Sequence, residues 1–196
     1  MGLARRKRIC HLPLPPVITA REAFDRIRLQ HPQGARIYVP GVAAEPLVLA
    51  EALRAEPELA AAHTFLGIWI PGVNGTDWAG LHPQSHSEQI FLGAEWLESF
   101  EAGRARFLPF TYSRAWRWLE ETRVDAAFVT VSTPDANGKA SLGTASDFTP
   151  ALWARAPLKF AIVNPNMPTI ASAPSIDLAP CDGVIEADTP LPGYDA

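Results

Sequence analysis

The segment DAAFVTVSTPDANGKASLG, residues 125–143, decides the fold of this chain. Residues 126–131 are apolar or β-branched almost without a break, which is the pattern of a strand buried on both faces. Residues 132–143 change to Ser, Thr, Pro, Asp, Asn and Gly, which favour turns. We therefore predict a central strand in a mostly parallel sheet, followed by a polar loop at its carboxyl end. Open α/β sheets bind ligands at that position.

Strand-like and helix-like segments alternate along the rest of the chain. Thr19 and Glu22 have the spacing of a capping box, which predicts a helix through Gln30. Further helices are predicted at residues 46–55, 95–101, 113–121 and 147–156, the last one capped by Asp147, and strands at residues 35–39, 64–70, 106–110, 158–163 and 183–187. This alternation predicts an α/β domain with an open, mostly parallel sheet covered by helices on both faces.

Composition narrows the class of protein. The 196 residues are 47% hydrophobic and 19% charged, as in an ordinary globular domain, and the net charge of −4 gives no reason to expect a nucleic-acid partner. No apolar run reaches the ~20 residues that span a bilayer, and the basic residues 5–8 lead into prolines, so we expect neither a membrane anchor nor a secretory signal. Cys10 and Cys181 stand alone, which is typical of a reducing compartment, and we expect a cytoplasmic protein.

Three loops directly follow predicted strands, at residues 40–45, 132–146 and 164–168. Right-handed crossovers in a parallel sheet bring such loops to the same edge, so we predict one cleft there. Glycine backbone amides and small polar side chains in these loops suit a carbonyl oxygen, a carboxylate or a phosphate. The groups in question belong to Gly41, Ser132, Asp135, Asn137, Gly138, Ser141, Gly143 and Asn164. The alternative, that these residues only form tight turns, stays open.

The long polar segment of residues 71–87 is a further candidate, because loops of that length usually have a function. It contains His82 and His86 in an HxxxH spacing, but Pro83 and the neighbouring Ser and Gln argue against a helix, and we expect no metal site. The chain has no GxSxG, Walker or GxGxxG pattern, so common hydrolase and nucleotide-binding classes lack their local signatures.

Residues 131–138 together with Ser141–Gly143 resemble the VSPPDxxGxxSLG signature of the acetyl-CoA hydrolase/transferase family, which includes 4-hydroxybutyrate CoA-transferases. Further matches occur in the same order: residues 40–46 (a glycine-rich turn ending in EP), 90–93 (FFLG), Gly103-Arg104 with Pro109 (GR…P), 164–168 (NPQMP) and 188–192 (VDxPLP). The similarity covers residues 17–192. Thr133 departs from it, because the family has proline there, and residues 41–44 and 171–174 also differ from the usual pattern.

The resemblance implies a NagB/RpiA/CoA-transferase-like fold and an enzyme that moves CoA between an acyl-CoA and a small carboxylate such as acetate. Coenzyme A thioester is then a substrate, and no permanently bound cofactor is expected. The family reaction runs through a glutamyl-CoA thioester on a glutamate in the second half of its chains. None of Glu45, Glu88 and Glu186 corresponds to that glutamate, so we expect no catalytic residue here.

We therefore expect residues 17–192 to form an N-terminal CoA-transferase domain, flanked by a basic and proline-rich tail at residues 1–16 and a tail at residues 193–196. The isolated chain should be inactive without a C-terminal half, in the same chain or in a separate subunit, and we expect a homo- or hetero-oligomer. The cleft residues that the resemblance implies are Gly41, Glu45, Ser132, Pro134, Asp135, Gly138, Ser141, Gly143, Asn164 and Met167.

Two alternatives to this interpretation remain open. The first is a non-catalytic acyl-CoA-binding or subunit-interaction module. The second is an independent hydrolase in which Glu45 or Asp135 activates water, although no histidine stands beside either residue in the sequence.

Overall fold

The computed structural model describes residues 15–146 and 148–194. The strands in this part of the chain are β1 (Arg36–Tyr38), β2 (Thr64–Gly67), β3 (His86–Gln89), β4 (Ala105–Phe107), β5 (Ala126–Val131), β6 (Lys139–Ser141), β7 (Leu158–Val163), β8 (Ser175–Asp177) and β9 (Gly183–Glu186). The α-helices are α1 (Ala20–Gln30), α2 (Leu47–Ala55), α3 (Leu97–Glu101), α4 (Tyr112–Glu121) and α5 (Thr149–Arg155). None of the helices described has the length and apolar character needed to cross a membrane.

Seven strands form one sheet in the order β4-β3-β2-β1-β5-β7-β9, and every neighbouring pair is parallel. The order runs from β1 outward to β4 on one side and from β5 outward to β9 on the other. The direction of winding therefore changes between β1 and β5, and a crevice opens at the carboxyl ends of these two strands. The predicted fold class, an open parallel sheet with helices, is confirmed.

The helices cover both faces of this sheet. One core contains Phe24 of α1 and Leu49 of α2, packed against Phe128 and Phe160, whose rings stack with centroids 5.1 Å apart. The other core contains residues of α4 and α5 packed against the alternate positions of the strands, among them Val129. All six residues of β5 are buried, as predicted for a strand covered on both faces.

The capping box at the start of α1 is present as predicted. The Thr19 hydroxyl accepts a hydrogen bond of 3.2 Å from the Glu22 N–H, and the Thr19 N–H donates to the Glu22 carboxylate at 2.7 Å. Helix α2 begins at Leu47, one residue later than predicted, and Pro46 is the residue that precedes it. The predicted helix at residues 147–156 corresponds to α5, whereas Asp147 lies outside the described residues.

Strand β3 corrects the prediction of a loop over residues 71–87, because it begins at His86. Its sequence His-Ser-Glu-Gln is polar, yet Ser87, Glu88 and Gln89 are buried. The Glu88 carboxylate pairs with Arg36 of β1 at 2.7 Å and with Arg106 of β4 at 3.3 Å. Glu88 is therefore buried with ion pairs to β1 and β4, and β3 lacks the apolar pattern by which a buried strand is recognised.

A second difference lies within the polar loop after β5. Strand β6 pairs antiparallel with β8, which makes a small two-stranded ribbon beside the main sheet. The sequence prediction treated residues 132–143 as a loop, because three residues are too few for a recognisable alternation.

Candidate functional site

The loops that follow β1, β5 and β7 meet where the sheet changes its direction of winding. The Thr130 hydroxyl on β5 donates a hydrogen bond of 2.7 Å to the Ala44 carbonyl oxygen in the loop after β1. One apolar group, here called the switch-point cluster, joins all three loops: buried Ala44, Ala145 and Met167, with half-buried Val42, Ala43 and Leu191 packed against them. The predicted convergence of the loops on one edge is confirmed.

The loop after β1 makes a close approach and then a strained turn. At Gly41, an added Cβ atom would lie 1.9 Å from the Ile68 carbonyl oxygen, so only glycine fits. Val42 has a φ of 53°, in the left-handed region that β-branched residues avoid, and it begins a short 3₁₀ turn, Val42–Ala44. Such conformations persist only where neighbouring groups hold them, and they concentrate at functional sites.

Glu45 follows this turn and has a buried side chain, 3% exposed. Its Oε2 accepts a hydrogen bond of 3.1 Å from Asn74 Nδ2, and its Oε1 accepts one of 3.3 Å from the Thr76 N–H. Within the part of the chain that the structure describes, the carboxylate forms no ion pair. Glu45 lines a cavity of about 320 Å³ whose other walls are Leu47, Arg54, Val73, Gly75, Thr76 and Pro190–Pro192.

Two serines of the signature segment form hydrogen bonds that connect the beginning of the loop after β5 with its later part. The Ser132 N–H donates to the Ser141 carbonyl at 2.9 Å, and the Ser132 hydroxyl accepts from the Ser141 N–H at 3.0 Å. The Ser141 hydroxyl in turn accepts from the Gly143 N–H at 3.1 Å. Both serines are buried, so they fix the path of the loop.

Beyond half-buried Pro134, the chain makes a turn at residues 135–138, whose first three residues are exposed. Asp135 Oδ1 accepts hydrogen bonds from the backbone N–H groups of Asn137 at 2.8 Å and Lys139 at 2.9 Å, and these bonds, that of Lys139 foremost, hold the Asp135 pKa below its ordinary value. Gly138, with a φ of 77°, donates its N–H to the Asp135 carbonyl at 3.0 Å. In this part of the loop the structure has the tight turn that the sequence left as an alternative.

Gly143, Met167 and Asn164 connect the loops to one another. Gly143 has a φ of 60°, and an added Cβ would lie 2.3 Å from the Met167 sulfur. Asn164, 2% exposed, donates from Nδ2 to the Thr189 carbonyl oxygen at 2.8 Å. This bond holds the segment of residues 188–194 beside the loop after β7, and Leu191 of that segment reaches the switch-point cluster.

The polar side chains expected at the site and the side chains that form its surface belong to different residues. The polar side chains of Glu45, Ser132, Asp135, Ser141 and Asn164 are hydrogen-bonded inside the chain, and they shape the loops. The surface at the switch point is formed by half-buried apolar side chains, those of Val42, Ala43 and Leu191. Such a surface suits an apolar acyl group better than a charged one.

Asn74 and Thr130 were missed by the sequence prediction. Thr130 lies within an apolar strand. Because β-branched residues are common in strands, its presence there does not indicate a further role. Asn74 lies in the long segment of residues 71–87 that was suspected of a function, and an asparagine just beyond a strand at the predicted binding edge was the available signal.

The two histidines of the HxxxH spacing have different surroundings. His82 Nε2 lies 3.4 Å from Glu58 Oε1, while His86 is an exposed residue of β3. Among the described residues, no group of three His, Cys, Asp or Glu side chains has a geometry that could hold a metal ion.

Sequence comparison assigns the family. The sequence model of the acetyl-CoA hydrolase/transferase N-terminal domain matches residues 12–192, which is nearly the whole chain. The chain belongs to the acetyl-CoA hydrolase/transferase family. Its similarity to the 4-hydroxybutyrate coenzyme A transferase of Clostridium kluyveri is 26% identity over 177 residues, covering 89% of this chain and 40% of that protein.

Solved structures of this fold agree with the family assignment. RipA of Yersinia pestis superimposes with a TM-score of 0.75 at 25% identity, covering 90% of this chain and 43% of RipA. The 4-hydroxybutyrate CoA-transferase of Porphyromonas gingivalis gives a TM-score of 0.63 at 22% identity, covering 90% of this chain and 40% of the other. The chain thus spans less than half the length of these relatives.

A third neighbour has a chain of similar length. A variant of the decarboxylase AibA/AibB has a TM-score of 0.63 at 13% identity, and the match covers 89% of this chain and 84% of the other. At this identity the likeness concerns the fold alone, and it shows that the fold occurs elsewhere as a chain of nearly this size.

Proposed function

We propose that this chain supplies the N-terminal half of a CoA-transferase, which moves CoA between an acyl-CoA and a small carboxylate such as acetate. The observation that carries the proposal is the convergence of the family's signature loop with the loops after β1 and β7 at the switch point. Membership of the acetyl-CoA hydrolase/transferase family supports the proposal. Two proteins named as 4-hydroxybutyrate CoA-transferases are similar to this chain, one in sequence and one in fold.

The proposed reaction needs a carboxylate as a covalent nucleophile. Transfer of CoA between two acids conserves the thioester only if CoA stays bound to the enzyme, here as a glutamyl-CoA thioester, while the acids exchange. That glutamate belongs to a second half, either in the same protein or in a separate chain. A decarboxylase chain of similar length has the same fold. This likeness supports the arrangement in which the second half is a separate chain.

In this scheme the residues of the present chain bind and orient the substrate. The half-buried side chains of the switch-point cluster contact the acyl group, and the loops after β1 and β5 form one wall of the cleft. A fixed wall raises the rate by holding the thioester in the geometry of attack, and misplacement by about 1 Å can lower the rate about 100-fold.

The test is an exchange assay between acetyl-CoA and a second short carboxylate. We expect exchange when the chain is combined with a C-terminal half that carries the glutamate, and no exchange by either half alone. Substantial exchange by this chain alone would contradict the assignment of the nucleophile. Binding of acetyl-CoA without exchange in the combined protein would instead favour a non-catalytic acyl-CoA-binding module.

The independent hydrolase has weaker support. Asp135 is a poor general base, because two backbone N–H groups donate to its carboxylate and lower its pKa. Glu45 is already an acceptor for Asn74 and Thr76. If Glu45 did activate water, Glu45→Gln would abolish thioester hydrolysis by the chain. We expect no hydrolysis above the uncatalysed rate in either form.

A further inference from the structure

Asn74 is a buried side chain with every hydrogen-bonding position occupied. It is 1% exposed, and it lies in the loop after β2. Its Oδ1 accepts from the N–H groups of Val42 and Ile70, both at 2.9 Å. Its Nδ2 donates to the Val42 carbonyl oxygen at 2.9 Å and to Glu45 Oε2 at 3.1 Å. An asparagine amide has two donors and two main acceptor positions, so this set is complete.

Two of these bonds go to one residue, and that residue is strained. The amide of Asn74 binds both the N–H and the C=O of Val42, in the manner of a neighbouring strand. Val42 has a φ of 53°, in the left-handed region where a β-branched residue is strained. Without the two bonds, Val42 would relax toward negative φ, where its side chain is unstrained.

Relaxation at Val42 would displace groups that belong to the proposed cleft. Val42 begins the turn whose last residue, Ala44, accepts the hydrogen bond from Thr130. Val42 and Ala43 also present half-buried side chains to the switch-point cluster. The position of these groups therefore depends on Asn74. Asn74 itself is buried and out of reach of a ligand in the cleft.

We propose that Asn74 is a positioning residue of the acyl-transfer site, which holds Val42 in its left-handed conformation and thereby fixes the wall of the cleft against which the acyl group lies. The proposal rests on the proposed function. It assigns to Asn74 no contact with substrate, and it predicts that the requirement for Asn74 exists because residue 42 is not glycine. Glycine adopts positive φ without strain, so it needs no support there.

A double-mutant cycle on the assembled two-half enzyme tests this proposal. Asn74→Ala should lower kcat for CoA exchange about 100-fold, with a smaller change in KM, because the substrate binds but is misplaced. In the Val42→Gly background, the same substitution should lower kcat less than about 10-fold, since the glycine keeps the turn populated. If Asn74→Ala does not fold, Asn74→Ser takes its place, because its polar side chain is too short to bind both the N–H and the C=O of Val42.

The control is Ala62→Gly. Ala62 is the other non-glycine residue with positive φ in the described part of the chain, with a φ of 62°, and it is exposed. It lies just before β2, at the opposite end of the sheet from the cleft, so the substitution should leave exchange unchanged. Combined with Asn74→Ala, it should leave the loss in kcat for CoA exchange as large as in Asn74→Ala alone.

The outcomes separate the two proposals. No exchange by the unaltered two-half protein overturns the proposed function and, with it, the role of Asn74. Exchange by the unaltered protein, with equal losses from Asn74→Ala in the Val42 and the Val42→Gly backgrounds, overturns only the positioning role. A loss confined to the Val42 background supports the proposal.

Discussion

The hydroxyl of Thr130 donates a hydrogen bond of 2.7 Å to the carbonyl oxygen of Ala44, and this bond joins β5 to the loop after β1 across the switch point. Both residues are buried. A buried carbonyl that loses its donor keeps the cost of its desolvation, which is about 1–3 kcal/mol. The bond therefore fixes the loop after β1 against β5 and also stabilises the fold.

Thr130→Val should lower the free energy of unfolding by about 1–2 kcal/mol, because valine has the same shape and no hydroxyl for the Ala44 carbonyl. Urea unfolding measures the change. The matched control is Thr133→Val, since Thr133 is exposed and should change the stability by less than about 0.5 kcal/mol. Equal effects of the two substitutions would contradict a structural role for the bond.

Gly143→Ala should destabilise the protein more than Gly103→Ala. Both glycines have positive φ, 60° and 73°, so alanine costs about 1–2 kcal/mol at either position. At Gly103 the added Cβ meets no atom within 4 Å, whereas at Gly143 it would lie 2.3 Å from the Met167 sulfur. The difference in thermal or urea stability between the two variants isolates the contact with Met167. A difference near zero would show that Met167 moves aside freely.

Stability should fall as the pH drops from 6.5 towards 4, in part because of His63. Burial, with the nearby charges of Arg28 and His31, lowers the His63 pKa from 6.5 to about 4. Between these values the unfolded chain binds a proton that the folded chain does not, so acidification favours unfolding. The full effect is at most about 3 kcal/mol, reached below pH 4, and it vanishes above pH 7.

The measurement is the free energy of unfolding at pH 7 and pH 5 for His63→Asn. Asparagine does not titrate, and its amide oxygen can still accept the bond of 3.0 Å that the Ala35 N–H gives to His63 Nδ1. The variant should lose part of the pH dependence. His86→Asn, at an exposed position of β3, should keep all of it. An unchanged pH dependence in His63→Asn would refute this assignment.

Cys181 should be inert toward thiol reagents in the folded protein. Burial, together with the charges of Asp182 and Asp177, raises its pKa to about 12, so only about one molecule in 10⁴ carries the thiolate at pH 8. In a Cys10→Ser variant, a chromogenic disulfide reagent should find no thiol until urea is added, and then one. Rapid labelling of the native variant would contradict the buried placement of Cys181.

Most strands of the main sheet and the edge that carries the candidate site were predictable, because they depend on local pattern and on topology. The apolar run at residues 126–131 identified β5, and parallel winding placed the loops after β1, β5 and β7 together. Strand β3 was missed because Glu88 is buried by virtue of Arg36 and Arg106, which stand on other strands. Polar residues in a strand are interpretable only once their partners are known.

The direction of each polar side chain was the part that sequence could not supply. Ser132, Asp135 and Ser141 have the composition of a ligand-binding loop, and the same composition builds turns. Asn74 acts on Val42 from 32 positions further along the chain, and a φ of 53° at a valine has no signature in the sequence. Such a contact becomes visible only when the loops after β1 and β2 are seen side by side.

The adjacency of β1 and β5 has a consequence for folding kinetics. Thr130 and Ala44 are 86 positions apart in the sequence, and strands β2, β3 and β4 lie between them. Closing so long a loop is entropically unfavourable until much of the intervening chain is ordered, so the contact should form late and slowly. During synthesis, a nascent chain cannot contain the crevice until Thr130 has emerged from the ribosome. Up to that moment, β1 is an unpaired edge of the half-sheet, where another chain could associate prematurely.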